Sequence, residues 1–105
     1  MSQGFLYVLV HPSARDLYKV GVTTLAPEKR LAQHNCLQET HAGQLVKQTG
    51  EHWELKTFIP VCDVYWAESC FWAATSIADV PYRGGVEVQQ MDWATVLQGL
   101  EAATL

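Results

Sequence analysis

Positive charge is scarce in this 105-residue chain. Lysine and arginine number 7 against 11 aspartates and glutamates, a formal net charge of −4. There is no basic footprint, which counts against strong non-specific binding to nucleic acid. Charge of either sign is low, at 17%, while hydrophobic residues reach 49%. That balance excludes a disordered chain. No apolar run approaches the ~18 residues of a membrane span, so a spanning protein is excluded and no membrane partner is expected. The opening MSQGFLYVLVHPS has neither a basic flank nor a small-residue cleavage site, so it does not read as a signal peptide. Cysteines are few, at three, and form no CxxC pair. The spacing of Cys62 and Cys70 gives no zinc signature; reduced, mostly buried thiols in a cytoplasmic protein are expected. Ser13, Ser69 and Ser76 lack nucleophile-elbow glycines, and neither a phosphate-loop nor a dinucleotide glycine pattern occurs.

The length suits one domain spanning residues 1–105, large enough to bury about two thirds of its unfolded surface. Phe5 to Val10 is a continuous aromatic and β-branched run, the mark of a buried strand. His11 to Asp16 forms a turn, and Leu17 to Val22 a second strand, giving a hairpin. Gly21 within that strand predicts close approach of another backbone or side chain. Pro27 to Asn35 reads as a short helix, with proline in the first turn and Glu28 at its positive end. Cys36 to Gly43 reads as loop. Gln44–Thr49 and His52–Val61 read as strands around a Gly50-Glu51 hairpin turn, with Trp53, Leu55 and Thr57 on one buried face.

Asp63 caps a helix from Val64 to Thr75, apolar nearly all round and therefore expected to be central. Pro81 to Gly85 is a break and Val86–Gln89 a short strand. Asp92 caps a last helix, Trp93 to Ala103, with Trp93, Val96, Leu97 and Leu100 on one stripe. The fold class is α+β, a small central antiparallel sheet flanked by helices. Four tryptophans exceed what one small core usually needs, which leaves room for an exposed aromatic patch and a homodimer; packing in the core is the plainer account.

Four places do not fit a plain core. Glu68 is the only charge in the apolar helix, with Tyr65, Phe71 and Trp72 at its helical neighbours. A buried carboxylate must pair, bind a cation or protonate; reaching the helix edge or an arginine is the plainer account. Arg30 and His34 stand four apart on one helix face, a cation and an imidazole suited to an anion such as phosphate, or simply a solvated face. Lys19 interrupts an apolar strand, as an edge strand would use it. Tyr7 stands mid-strand, where a packed aromatic with a satisfied hydroxyl is the common case. His11, His41 and His52 have no ligand spacing and receive no role.

From Phe5 to Thr75 the chain resembles the GIY-YIG nuclease superfamily, in its phage and bacterial branch. Phe5-Leu6-Tyr7 stands at the Gly-Ile-Tyr strand and Lys19-Val20-Gly21 at the Tyr-Ile-Gly strand. Thr23-Thr24 then leads to a helix bearing Arg30, and Glu68 lies on a later helix. Residues 77–105 lie beyond the resemblance, as a C-terminal strand and packing helix. The resemblance implies metal-dependent endonucleolytic hydrolysis of phosphodiester bonds, with Mg2+ or Mn2+ as cofactor and nucleic acid, DNA first, as substrate. It implies that Tyr7 orients or deprotonates water and that Arg30 neutralises the phosphate. His34 matches a histidine some members carry, and Glu68 the metal ligand. Lys19 replaces the second motif's tyrosine, as in a branch of the superfamily; it would act as a phosphate cation or on Tyr7. Tyr18 is displaced by one onto the opposite strand face. The family's late asparagine has no match. The rival expectation is the same fold without catalysis, a module for protein or weak nucleic-acid binding.

Overall fold

A computed structural model describes residues 3–13, 16–36, 41–75, 80–81 and 88–104. The hairpin forms as the pattern predicts: β1 (Gly4–Val10) pairs antiparallel with β2 (Leu17–Thr23), with Tyr7 opposite Gly21 and Leu9 opposite Lys19. The connection closes with Asp16 at φ 59°, a left-handed conformation that aspartate tolerates. β3 (Glu54–Val61) lies antiparallel on the other side of β1. β4 (Val80–Pro81) and β5 (Val88–Gln90) extend the sheet beyond β2, giving the order β3-β1-β2-β5-β4.

Helices α1 (Pro27–Cys36) and α2 (His41–Thr49) cover one face; α3 (Val64–Thr75) and α4 (Trp93–Ala103) cover the other. The result is the expected α+β class. Strand alternation sorts β1 between two apolar layers. Leu6 and Val8 join Val20, Val64, Phe71 and Val96 in one; Tyr7 and Leu9 join Leu17, Leu45, Val46 and Trp53 in the other. Burial on both faces is why the β1 sequence is a continuous apolar run rather than an alternating one.

Several expectations are corrected. The segment Gln44–Thr49 is helical, not a strand. Ala42, Leu45 and Val46 stand at i, i+3 and i+4 and are all buried. Gly50 is the end of that helix rather than a hairpin turn: at φ 73° it donates its N–H to the Val46 carbonyl at 2.8 Å. The expected loop from Cys36 to Gly43 is partly α1 and α2, and residues 37–40 lie outside the described residues. In β3 a bulge sets Leu55 opposite Leu9 and Thr57 opposite Val8, so these two residues face opposite sides instead of sharing a buried face. Lys56, the extra residue, carries its Nζ to 5.0 Å from the Trp93 ring centre.

Asp63 caps α3 as expected, its Oδ1 accepting from the Tyr65 N–H at 3.1 Å. The helix is not central, however. Val64, Ala67, Phe71 and Thr75 are buried, while Tyr65 and Trp66 are 73% and 64% exposed. Asp92 caps α4, accepting from the Thr95 N–H at 2.9 Å. The buried stripe there is Val96, Gly99, Leu100 and Ala103; Leu97 faces solvent. A methyl at Gly99 would come within 2.5 Å of Phe71, so this glycine sets how closely α3 and α4 approach.

Lys19 is not on an edge, because β2 is paired on both sides. Cys36 and Cys62 are exposed and Cys70 half-buried, all free, so the thiols are not mostly buried. The expected strand at Val86–Gln89 is Val88–Gln90; residues 82–87, with most of the Pro81–Gly85 break, lie outside the described residues, as do Ala14-Arg15 of the hairpin turn. Among the described residues, no helix is long and apolar enough to cross a membrane.

Candidate functional site

Tyr7 projects from the middle of β1 onto the α1 and α2 face, where it is 1% exposed. Its phenol lies across β2 at Gly21. A Cβ there would meet the Tyr7 Oη at 2.6 Å and Cζ at 2.8 Å. The glycine in Lys19-Val20-Gly21 therefore makes room for the ring, the close approach that its place in a strand predicts.

The Tyr7 hydroxyl shares a 2.9 Å hydrogen bond with His34 Nε2, from α1. Both groups are buried, His34 at 4% exposure. When Nε2 carries no proton it accepts from the phenol; when it carries one it donates to the phenol oxygen. The pair is thus a two-way proton contact between the sheet and the helix.

Arg30 precedes His34 by one turn and is half-buried. Its guanidinium donates to Gln33 Oε1, and no carboxylate pairs with it among the described residues. It lines a cavity of about 340 Å³ at the end of β2, shared with Thr23, Thr24, Gln33 and Tyr65. The Thr23 hydroxyl there accepts from the Leu25 N–H at 3.0 Å. None of the cavity's lining residues is acidic, so it offers one fixed cation, hydroxyls and an amide to an anion.

Tyr7 thus meets both His34 and Gly21, with Arg30 one turn from His34 on the same helix. Lys19 lies on the same sheet face, two residues before Gly21, half-buried and engaged with a partner. Glu68 is not brought to these residues by any bond. It is half-buried on α3, whose packing face rests on the other apolar layer, and no hydrogen bond or ion pair reaches it among the described residues. Among the described residues, no arginine neutralises it. It stands one turn beyond Val64 and Tyr65, which line the Arg30 cavity. Among the described residues no three His, Cys, Asp or Glu side chains gather in a metal-holding group. A lone carboxylate suits Mg2+ only as a partial site, with waters and substrate phosphate oxygens completing the shell.

Tyr18 sits in the α3 and α4 layer beside Trp93, with ring centres 5.9 Å apart. Burial first, then the Asp16 and Asp92 charges, raise its pKa above the ordinary tyrosine value. This phenol lies on the far side of the sheet from Tyr7.

Two structural roles escaped the sequence. His11 is buried, donates from Nε2 to the Glu51 carbonyl at 2.9 Å, and accepts at Nδ1 from the Ser13 N–H at 3.2 Å. Its ring stands edge-on to Trp53, centres 4.9 Å apart. Asn35 bonds both backbone groups of Trp53, accepting at 2.7 Å and donating at 3.2 Å. The sequence signal for His11 was a polar residue at the end of the apolar β1 run; Asn35, in the polar helix α1, left none. Compared with models of protein families, with curated proteins and with solved structures, this chain finds no match.

Proposed function

We propose that this chain is a divalent-metal-dependent endonuclease hydrolysing phosphodiester bonds, as the GIY-YIG superfamily that it resembles does, with DNA as substrate. One observation carries the reading: the Tyr7 hydroxyl is bonded to His34 across Gly21, one helical turn from an arginine without a carboxylate partner among the described residues. The imidazole accepts a proton from the phenol, and the phenol oxygen can then take one from water. Arg30 holds a phosphoryl oxygen in its cavity and offsets charge as the phosphorus gains a bond. Lys19 adds positive charge on the Tyr7 face. Glu68 would hold Mg2+ or Mn2+, with phosphate oxygens as further ligands. Such a cation would supply charge stabilisation at the leaving oxygen. Free thiols at Cys36, Cys62 and Cys70 suit a reducing, cytoplasmic setting.

The test is cleavage of supercoiled and branched DNA with Mg2+ or Mn2+, for wild type and single variants. Tyr7→Phe removes only the hydroxyl and should slow cleavage about 10²–10⁴-fold. Arg30→Ala should cost about 10²–10³-fold. Glu68→Ala should abolish cleavage while leaving circular dichroism unchanged. Wild-type rates in either Arg30→Ala or Glu68→Ala would overturn the scheme.

A second reading has its own support: a catalytically inactive module of the same fold that binds protein or nucleic acid weakly. Tyr7 and His34 are almost wholly buried, which also suits a satisfied core pair, and the net charge is −4. Metal-dependent cleavage by the wild type would exclude it.

A further inference from the structure

Tyr65 and Trp66, on the first turn of α3, are the most exposed large hydrophobic side chains among the described residues, at 73% and 64%. The buried stripe of Val64, Ala67 and Phe71 turns both positions outward. The turn could have carried polar residues, as solvated helix faces usually do. Both aromatics border depressions. Tyr65 lines the 340 Å³ cavity that holds Arg30. Trp66 lines a second of about 340 Å³, with Cys62 and Asp63. A third, of about 560 Å³, joins them: it shares Pro60, Val61 and Cys62 with the Trp66 depression and Thr24 with the Arg30 cavity. Phe5 lines this middle stretch and meets the 40% exposed Phe58 edge-on, ring centres 5.5 Å apart. One surface therefore runs from Trp66 past Phe5 to Arg30.

Charge decides what such a surface suits. With 7 cations against 11 anions, the chain cannot draw much affinity from a duplex backbone. Unpaired bases offer another source, because each base stacked on an aromatic side chain contributes about 1–3 kcal/mol without sequence preference. Adjacent residues on a helix point about 100° apart, so Tyr65 and Trp66 meet two separate bases rather than sandwich one. We propose that this surface is a platform for single-stranded nucleic acid. A phosphate seats at Arg30 and neighbouring unpaired bases stack on Tyr65 and Trp66. The inference rests on the reading of Arg30 as the phosphate group's partner. It adds that the substrate presents a single-stranded or unpaired segment.

Fluorescence anisotropy tests this in EDTA, where no cleavage occurs. The probes are labelled oligothymidylate and oligouridylate of about twenty nucleotides, somewhat longer than the 4–16 that one small fold covers, and a duplex of equal length. The single strands should bind at least tenfold tighter than the duplex. Tyr65→Ala and Trp66→Ala should each weaken single-strand binding by about five- to 150-fold, the equivalent of one lost stack. Tyr65→Phe should bind like wild type. Arg30→Ala should lower the salt slope by about 0.7, one phosphate's share. Equal binding of duplex and single strand, or wild-type binding by both alanine variants, would overturn the platform. If Arg30→Ala abolished DNA cleavage while Tyr65→Ala and Trp66→Ala changed neither cleavage nor binding, the platform would fall and the nuclease reading would stand. If wild type bound no nucleic acid in EDTA, the platform would fall, and the nuclease reading would stand or fall on the cleavage assay with metal. Self-association lost in Trp66→Ala would then assign the aromatics to a second copy of this chain.

Discussion

At the scale of the residue, the tightest constraint is Gly21. Its missing Cβ is the space that the Tyr7 phenol occupies. Gly21→Ala should therefore destabilise the chain by about 1–3 kcal/mol in urea unfolding, the usual cost of an overpacked site. Tyr7→Phe should not relieve the strain, because the ring carbon Cζ remains within 2.8 Å of the new methyl. Tyr7→Leu should relieve it. Asp92 gives a second residue-scale expectation. The Thr95 hydroxyl and backbone N–H hold its pKa below the ordinary aspartate value. A depressed carboxylate pKa contributes stability above the unfolded-state value and loses it as pH falls through the folded one. Asp92→Asn keeps a capping oxygen without the charge. Its melting temperature should fall less steeply below about pH 4, near the unfolded aspartate value, than that of the wild type. Gly21 was legible in the sequence because glycine is out of place in a strand. His11 was not, since its partners are a backbone carbonyl 40 residues away and a neighbouring serine, and neither leaves a spacing to read.

At the scale of the element, legibility followed length and capping. β1, β2, α1, α3 and α4 carry their own signals: a long apolar run, a proline start, or an aspartate cap. α2 did not, because its buried positions Ala42, Leu45 and Val46 span barely one turn, and Gly50 serves a hairpin and a helix end equally well in sequence. The bulge in β3 was invisible for a similar reason, since register belongs to the pair of strands and not to either one. Periodicity also misjudged α3. An aromatic residue counts as apolar wherever it points, so Tyr65 and Trp66 made a one-sided helix look central. The candidate site was legible in the same uneven way. Tyr7, Arg30 and His34 stood out by residue type and helical spacing; the structure bonds Tyr7 to His34 and sets Arg30 one helical turn away, in a cavity that residues of α3 also line. Glu68 stood out equally, yet its distance from them depends on how α3 crosses the sheet, which no local pattern states.

At the scale of the whole molecule, the sheet separates two apolar layers of unequal size. Among the described residues, twelve buried side chains form the α3 and α4 layer and seven form the α1 and α2 layer. The smaller layer holds Tyr7, with α1 and its His34 bound against it. Local opening draws on the parts with fewest buried apolar contacts. Backbone amides of α1 and α2 should therefore exchange with deuterium faster than those of α3, and oligonucleotide binding should slow α1 most. Equal exchange across the four helices would contradict this ranking. Under the proposed nuclease reading, such opening would be the route by which substrate reaches a hydroxyl that is 1% exposed.

The tryptophans turn this arrangement into a set of optical reporters. Trp53 is buried in the smaller layer with its indole N–H on the Ala42 carbonyl at 2.9 Å, Trp72 and Trp93 rest against the larger one, and Trp66 stands in solvent. Replacing all but one with phenylalanine leaves a chain whose emission colour follows one region alone. Trp53 would redden as the α1 and α2 side loosens, Trp93 would redden only at global unfolding, and Trp66, already red in the folded state, would dim when a base covered it.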